Sequence, residues 1–230
     1  MEVEDLLHRL ESAYDVEDWW PADSPWEVMV GAILTQQTVW ESAEKVLDEM
    51  KKRGLMTVEG IDRLPIGELE TLLRPAGFYR QKARSLKALA THIRERYASD
   101  PRGLLTKETE KARKELLSIR GIGNETADAI LLFAAGRPCF VAAKYVSRTL
   151  GRLGMIDSRD YIEVQRFLEC RLEPDPAGYA KYYALFVQHA RSTCRTRPRC
   201  EACTLHDDCS FSPGRETAGS PPRPRTRARR

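Results

Sequence analysis

At 230 residues, with 42% hydrophobic and 31% charged side chains, the chain can bury a core for one domain or two small ones sharing an interface. No apolar run approaches the roughly 20 residues of a membrane span. The acidic start MEVEDLLHRLESAYDVEDWW lacks the basic opening and small-residue cleavage site of a secretory signal, so no membrane role and a cytoplasmic location are expected.

The formal charge of +3 conceals an asymmetry: six arginines and one glutamate give residues 211–230 a balance of +5 and leave −2 for the rest. Charge does not mark the body as a general nucleic-acid binder; any DNA-binding charge there has to be local.

Helical periodicity dominates. Ser24-Pro25, as N-cap and first-turn proline, opens a buried helix over Trp26–Leu34. An amphipathic helix over Val39–Met50 follows, with Val39, Ala43, Val46, Leu47 and Met50 on one face. Leu64–Leu73 and Gln81–Tyr97 read as helices separated by the turn Arg74-Pro75-Ala76-Gly77. Thr109–Ser118, Asn124–Ala135, Val141–Leu153, Arg159–Leu172 and Ala177–Thr193 complete the set. With no sustained period-two pattern and no internal repeat, the predicted class is all-α. Residues 211–230 read as a disordered basic tail, either a non-specific phosphate tether or a solubilising end.

Between two of these helices lies Ser118-Ile119-Arg120-Gly121-Ile122-Gly123-Asn124-Glu125-Thr126-Ala127. Two glycines permit positive φ and close approach of a ligand, and the second helix turns unpaired N–H groups toward the same place, a combination suited to an anion such as a DNA phosphate. Glycine is also a common helix C-cap, so the pattern alone is weak. Cys194, Cys200, Cys203 and Cys209, spaced C-x5-C-x2-C-x5-C, suit either a tetrahedral zinc ion or a [4Fe–4S] cluster, and the spacing does not choose between them. Of the four tryptophans, Trp26 fits an apolar core, whereas Trp19 and Trp20 precede the helix and are harder to place there.

The Gly-Ile-Gly-x-x-Thr-Ala-x-x-Ile-Leu hairpin resembles that of the endonuclease III superfamily of helix-hairpin-helix DNA glycosylases. Trp-Trp-Pro, Ala-Ile-Leu-Thr-Gln-Gln-Thr and Arg-Pro-Ala-Gly-Phe-Tyr-x-Gln-Lys-Ala, in that order, look like the 3-methyladenine DNA glycosylase III branch, from about Trp19 to Gly154. The resemblance implies a six-helix barrel over residues 24–137 ending in the hairpin, and an iron–sulfur domain made of residues 1–23 and 138–210. It selects [4Fe–4S] over zinc, although the family commonly has six residues in the first gap where this chain has five.

It further implies a monomer that binds double-stranded DNA containing a damaged base or abasic site. Trp19, Trp20 and Trp40, with Lys144 and Tyr145, would line the pocket for the flipped base. Gln36 or, by preference, Gln37 would fill the gap left in the duplex. Gly121, Ile122, Gly123, Asn124 and Glu125, with Arg80, Lys82, Arg195, Arg197 and Arg199, would contact DNA. Glu125 stands where strand-cutting members carry a lysine nucleophile, which implies a monofunctional enzyme. Ala143 stands where the family has its catalytic aspartate. An inactivated variant is the first explanation, followed by a non-catalytic lesion binder or another acid taking over, Asp128 being nearest in sequence. The expected reaction is N-glycosidic hydrolysis of an alkylated purine, with oxidised pyrimidine, uracil or mismatched adenine as alternatives.

Overall fold

The computed structural model describes residues 1–17 and 19–212; Asp18 and residues 213–230, which hold most of the expected disordered tail, lie outside the described residues. The described residues form twelve α-helices and no strand, as the periodicity implied.

Helix α1 (Val3–Ala13) buries Val3, Leu6, Leu7 and Leu10. Helix α2 (Pro25–Leu34) is buried almost all round, and the Ser24 hydroxyl accepts from the Glu27 N–H at 3.2 Å to cap it. Helix α3 (Trp40–Lys52) inserts Ala43, Val46, Leu47 and Met50, but Val39 is its N-cap and 57% exposed, so it leaves the apolar face predicted for it.

The helix expected over 64–73 is α5 (Ile66–Leu72), which starts two residues later with Pro65 as its cap, and a short helix that was not expected, α4 (Val58–Arg63), precedes it. Both pack on the long α6 (Tyr79–Tyr97), after a 3-10 turn at Arg74–Ala76. Helices α7 (Arg102–Leu105) and α8 (Thr109–Ser118) lead to the hairpin. Helix α9 (Asn124–Ala129) then runs into a π-helical turn, Ile130–Ala134, that presses on α2.

Helix α10 spans Lys144–Leu153, not 141–153. Residues before it stay extended because their polar groups are taken by side chains of α11 (Tyr161–Glu169): the Phe140 N–H donates to Glu169 Oε1 at 2.8 Å, and its carbonyl accepts from Gln165 Nε2 at 2.8 Å. Helix α12 (Pro176–Ser192), capped by Asp175, packs against α1, α10 and the π turn.

One apolar core runs through the molecule, from Leu6 and Leu10 of α1 through Met29 and Ile33 of α2 to Leu185 and Phe186 of α12. A buried polar knot crosses it. Arg113 of α8 donates to both Asp128 oxygens, at 2.7 and 3.0 Å, and Tyr161 and Gln165 donate to Asp128 Oδ2 at 2.8 and 2.9 Å. These bonds tie the hairpin helices to α11 and, through Gln165, to the segment before α10.

Candidate DNA-binding and base-recognition site

The hairpin turn between α8 and α9 is fixed by close packing on α6. Gly121 has φ +86, and a Cβ there would stand 1.8 Å from Ser85 Oγ and 2.7 Å from Ser85 Cβ of α6, so only glycine fits. Gly123 differs from the expectation of a second left-handed glycine: its φ is −101 and ψ −177, and a Cβ would meet nothing within 4 Å. Glycine there leaves open the space before the N-terminus of α9, which starts at Asn124 with no side-chain cap. Ile122 is buried between the two and anchors the turn. Arg113 Nη2 donates to Asn124 Oδ1 at 3.1 Å, turning the Asn124 carbonyl oxygen into the protein.

Two exposed loops flank the hairpin. In the first, Gln36 Nε2 donates to the Gly121 carbonyl at 3.1 Å and to Thr126 Oγ1 at 2.9 Å, so Gln36 belongs to the hairpin's scaffold. Gln37 beside it is exposed with φ +53, a conformation that a non-glycine residue holds only when its surroundings impose it. In the second loop Phe78 has φ +46 and is 60% exposed, a large apolar side chain standing free in solvent. In the sequence Phe78 is marked only as an aromatic residue after the Pro-Ala-Gly turn of the Arg74–Ala83 motif.

Lys82 departs most from expectation. It is 1% exposed, so it cannot reach a phosphate, and its ammonium donates to the carbonyls of Leu34 and Ala76, both at 2.7 Å, and to Thr38 Oγ1 at 2.5 Å. Burial lowers its amine to about 8. Its position, four before Leu86 and seven before Leu89 on the face of α6 that also buries Ile93, was the available clue. Arg80 is 71% exposed on its side chain and 3.9 Å from Glu70, open to solvent.

An aromatic chain leads inward from the loops. Trp40 meets Trp20 edge-on with centroids 5.8 Å apart, Trp20 lies tilted on Phe133 at 4.7 Å, and Phe133 meets Tyr183 edge-on at 5.7 Å. The Trp20 indole packs over Gly31 of α2, at a distance where an added Cβ would make ordinary van der Waals contact. The π turn places Phe133, and neither it nor Tyr183 was expected. Trp19 and Trp20 also line a broad cavity with Tyr14, Pro21, Phe133 and Lys181. Trp26 is buried in the core, as expected.

Glu125 is open to solvent at the inner end of this chain. Crowding by protein raises its carboxyl, with Lys144 pulling the other way, and its charge is felt by Tyr183. Lys144 and Tyr145 are exposed on the first turn of α10. Ala143 is 1% exposed and is the N-cap of α10; its carbonyl accepts from the Val146 N–H at 2.9 Å, but it has no side-chain acceptor to offer. Asp128 cannot stand in for a missing carboxylate, being fully buried and saturated by Arg113, Tyr161 and Gln165.

Near the C-terminus Cys194, Cys200, Cys203 and Cys209 line one small cavity with His189, Arg152 and Leu205. Among the described residues no three His, Cys, Asp or Glu side chains are gathered into a group that could hold a metal ion as they stand. Arg152 Nη1 donates to Cys194 Sγ at 3.2 Å, and the Leu205 N–H donates to Cys203 Sγ at 3.4 Å. Burial pushes the Cys203 and Cys209 thiols up, and the neighbouring sulfurs add to this, so the four would become thiolates together only around a cationic centre. The donor set and its N–H partners fit a thiolate-bound group. Arg195, Arg197 and Arg199 are exposed on this loop, and Asp208 is held to Arg9 of α1 at 2.8 Å.

An all-α body, a glycine-bent hairpin with an open helix end, and a chain of aromatic side chains with Trp19 and Trp20 facing a cavity are the features of a helix-hairpin-helix DNA-binding protein. The profile of the HhH-GPD superfamily of base excision DNA repair proteins matches residues 30–174, and the chain belongs to that superfamily. A putative DNA repair glycosylase of Methanocaldococcus jannaschii is 40% identical over 198 residues, 85% of this chain and 90% of the relative. A thymine-DNA glycosylase of Aeropyrum pernix is 28% identical, covering 91% and 95%. Among solved structures, the 3-methyladenine DNA glycosylase of H. pylori bound to 1,N6-ethenoadenine superimposes with a TM-score of 0.74 at 28% identity, over 83% of this chain and 98% of the other. A trapped endonuclease III–DNA covalent intermediate shares the fold, with a TM-score of 0.78 at 23% identity over 91% and 94%. The chain is a base excision repair protein of the DNA glycosylase family.

Proposed function

We propose that the chain recognises duplex DNA containing an alkylated purine, draws the base out of the helix and receives it against Trp20, Trp40 and Phe133. The observation that carries this reading is the aromatic chain Trp40–Trp20–Phe133–Tyr183, with Trp19, Trp20 and Phe133 also lining an open cavity: an electron-poor or cationic methylated ring stacks well on indole faces. The similarity to a glycosylase solved with 1,N6-ethenoadenine supports the same substrate class. Gln37 would occupy the vacated position in the duplex and Phe78 would wedge beside it, while Gly121 to Asn124 hold a phosphate. Arg80, Arg195, Arg197 and Arg199 would add contacts to the backbone. The hairpin and α2–α9 would form one domain, α1 and α10–α12 with the cysteine loop the other, and the lesion would sit between them.

Base removal in this geometry needs a carboxylate facing the sugar to stabilise its developing positive charge. Position 143 lies at the start of α10, where an aspartate would also accept the free N–H groups of that helix. Alanine can do neither, and Asp128 is committed elsewhere. Glu125 in place of a lysine leaves no amine for strand cleavage at that position. A [4Fe–4S] cluster held by the four cysteines would staple the C-terminal loop and supply no step of base removal.

The test is single-turnover base release by the unaltered chain and by Ala143→Asp, on duplexes carrying 3-methyladenine, uracil, a thymine mismatch or an oxidised pyrimidine. Release of the alkylated purine by Ala143→Asp is the expected result. An Ala143→Asp protein that binds the lesion but frees no base refutes the role of position 143. A second reading, a lesion binder without catalysis, is favoured by the buried apolar side chain at 143. Comparable release by the unaltered chain refutes that second reading.

A further inference from the structure

We infer that Lys82 is a positioning residue whose buried ammonium tethers the two DNA-facing loops, residues 35–38 and 74–78, in the shape that presents Gln37 and Phe78 to a lesion. The inference rests on the reading of those loops given above.

The ammonium sits where the loops meet. It takes the Leu34 carbonyl at the C-terminal end of α2, the Thr38 hydroxyl four residues on, and the Ala76 carbonyl in the facing loop. The Thr38 hydroxyl itself donates to the Ala76 carbonyl at 2.5 Å, closing a ring of contacts. The first loop is thus held at both ends, and its middle residue, Gln37, is the left-handed one. The second is held at Ala76, two residues before Phe78, which is likewise left-handed; the backbone N–H of Lys82 also donates to the Phe78 carbonyl at 3.1 Å. Both exposed, strained side chains therefore hang from one buried amine. Through Gln36, which donates to the Gly121 carbonyl and Thr126, the first loop is also fixed to the hairpin.

All three acceptors of the ammonium are neutral oxygens. A methionine would fill the same volume without the cost of a desolvated charge, which normally exceeds what neutral partners return. Burial has already lowered the amine to about 8. What the amine offers in exchange is three donors diverging from one point, which fix the loops in a single arrangement as a bound cation would.

The experiment measures affinity for a duplex with a central tetrahydrofuran abasic analogue and for the same duplex intact. It uses the unaltered chain, Lys82→Met, Lys82→Ala and Thr38→Val at fixed salt, with thermal unfolding followed in parallel. Lys82→Met is expected to lower the preference for the abasic duplex about tenfold, as loss of one to two hydrogen bonds' worth of preorganisation predicts, while intact-duplex affinity stays within about twofold. Thr38→Val is expected to lower it in the same direction and serves if Lys82→Met does not fold. Methylammonium, but not tetramethylammonium, is expected to restore the preference in Lys82→Ala, a rescue that loss of bulk packing would not show. An unaltered preference in Lys82→Met and Thr38→Val, or a parallel loss of both affinities without amine rescue, overturns the tether. If the unaltered chain itself shows no preference, the reading of the site fails and the tether with it.

Discussion

Substituting Gly121 and Gly123 by alanine, one at a time, separates folding from DNA binding within three residues of one turn. At Gly121 the backbone has φ +86, which costs an L-residue about 1–2 kcal/mol. The new methyl would stand 1.8 Å from Ser85 Oγ and 2.7 Å from Ser85 Cβ. Rotating the Ser85 hydroxyl away breaks its 3.1 Å bond to the Gln81 carbonyl and still leaves the Cβ clash, so α6 or the turn must shift. Overpacking of this kind adds about 1–3 kcal/mol. The sum, roughly 2–5 kcal/mol, corresponds to a fall in melting temperature of about 4–20 °C for a protein of this size. At Gly123 φ is −101 and no atom lies within 4 Å of the added methyl, leaving only the loss of glycine as N-cap of α9, below about 1 kcal/mol.

Gly123→Ala is therefore expected to melt within about 4 °C of the unaltered chain while losing most of its DNA affinity, because the methyl enters the space proposed to take a phosphate. Circular dichroism melts and fluorescence anisotropy with a labelled duplex measure the two effects. A Gly123→Ala protein that binds as well as the unaltered chain, or a Gly121→Ala protein of undiminished stability, would refute the account of the hairpin.

Acid should weaken the α6–α8 junction. Burial works to raise the Glu115 carboxyl, but bonds from Lys107 at 2.5 Å, Tyr97 at 2.6 Å and His92 at 2.7 Å outweigh it and hold the group at about 2, from 4.5. A carboxyl depressed on folding contributes stability that is present above pH 4.5 and lost as pH falls toward 2, here on the order of 3 kcal/mol. Urea titrations of the unaltered chain and Glu115→Gln are expected to differ at pH 7 and converge near pH 2; a constant gap would contradict this. The four-cysteine loop is expected to give a yellow-brown protein absorbing near roughly 400 nm, bleached by acid or oxidant together with loss of the loop's protection from proteolysis. A colourless protein carrying stoichiometric zinc would replace the cluster with a tetrahedral ion.

Helices of ten residues or more with a regular apolar period were legible in the sequence. Thr109–Ser118 has the predicted bounds, and α2 and α12 lie within one residue of theirs. Helices α4 and α7, of six and four residues, are too short for periodicity to register, and the expectation over 64–73 overlooked Pro65 as a helix start. The extended segment at 140–143 depends on Gln165 and Glu169, more than twenty residues away in sequence, which no local pattern discloses. The same holds for the site. The hairpin and the tryptophans were visible as motifs, whereas Phe133 and Tyr183 join them only because a π turn and α12 converge. Lys82 looked like one more surface cation until its place on the apolar face of α6 was taken into account.

The central claim is that the loops and the aromatic residues behind them recognise a displaced base, and it is tested most directly by the affinity of the unaltered chain for abasic-analogue and intact duplexes of one sequence, across a range of salt. Phosphate contacts are common to both, so their salt dependence should be parallel, with the abasic duplex bound at least about tenfold tighter throughout. Equal affinities at every salt concentration would mean that the hairpin grips DNA without reading damage, and would contradict the claim.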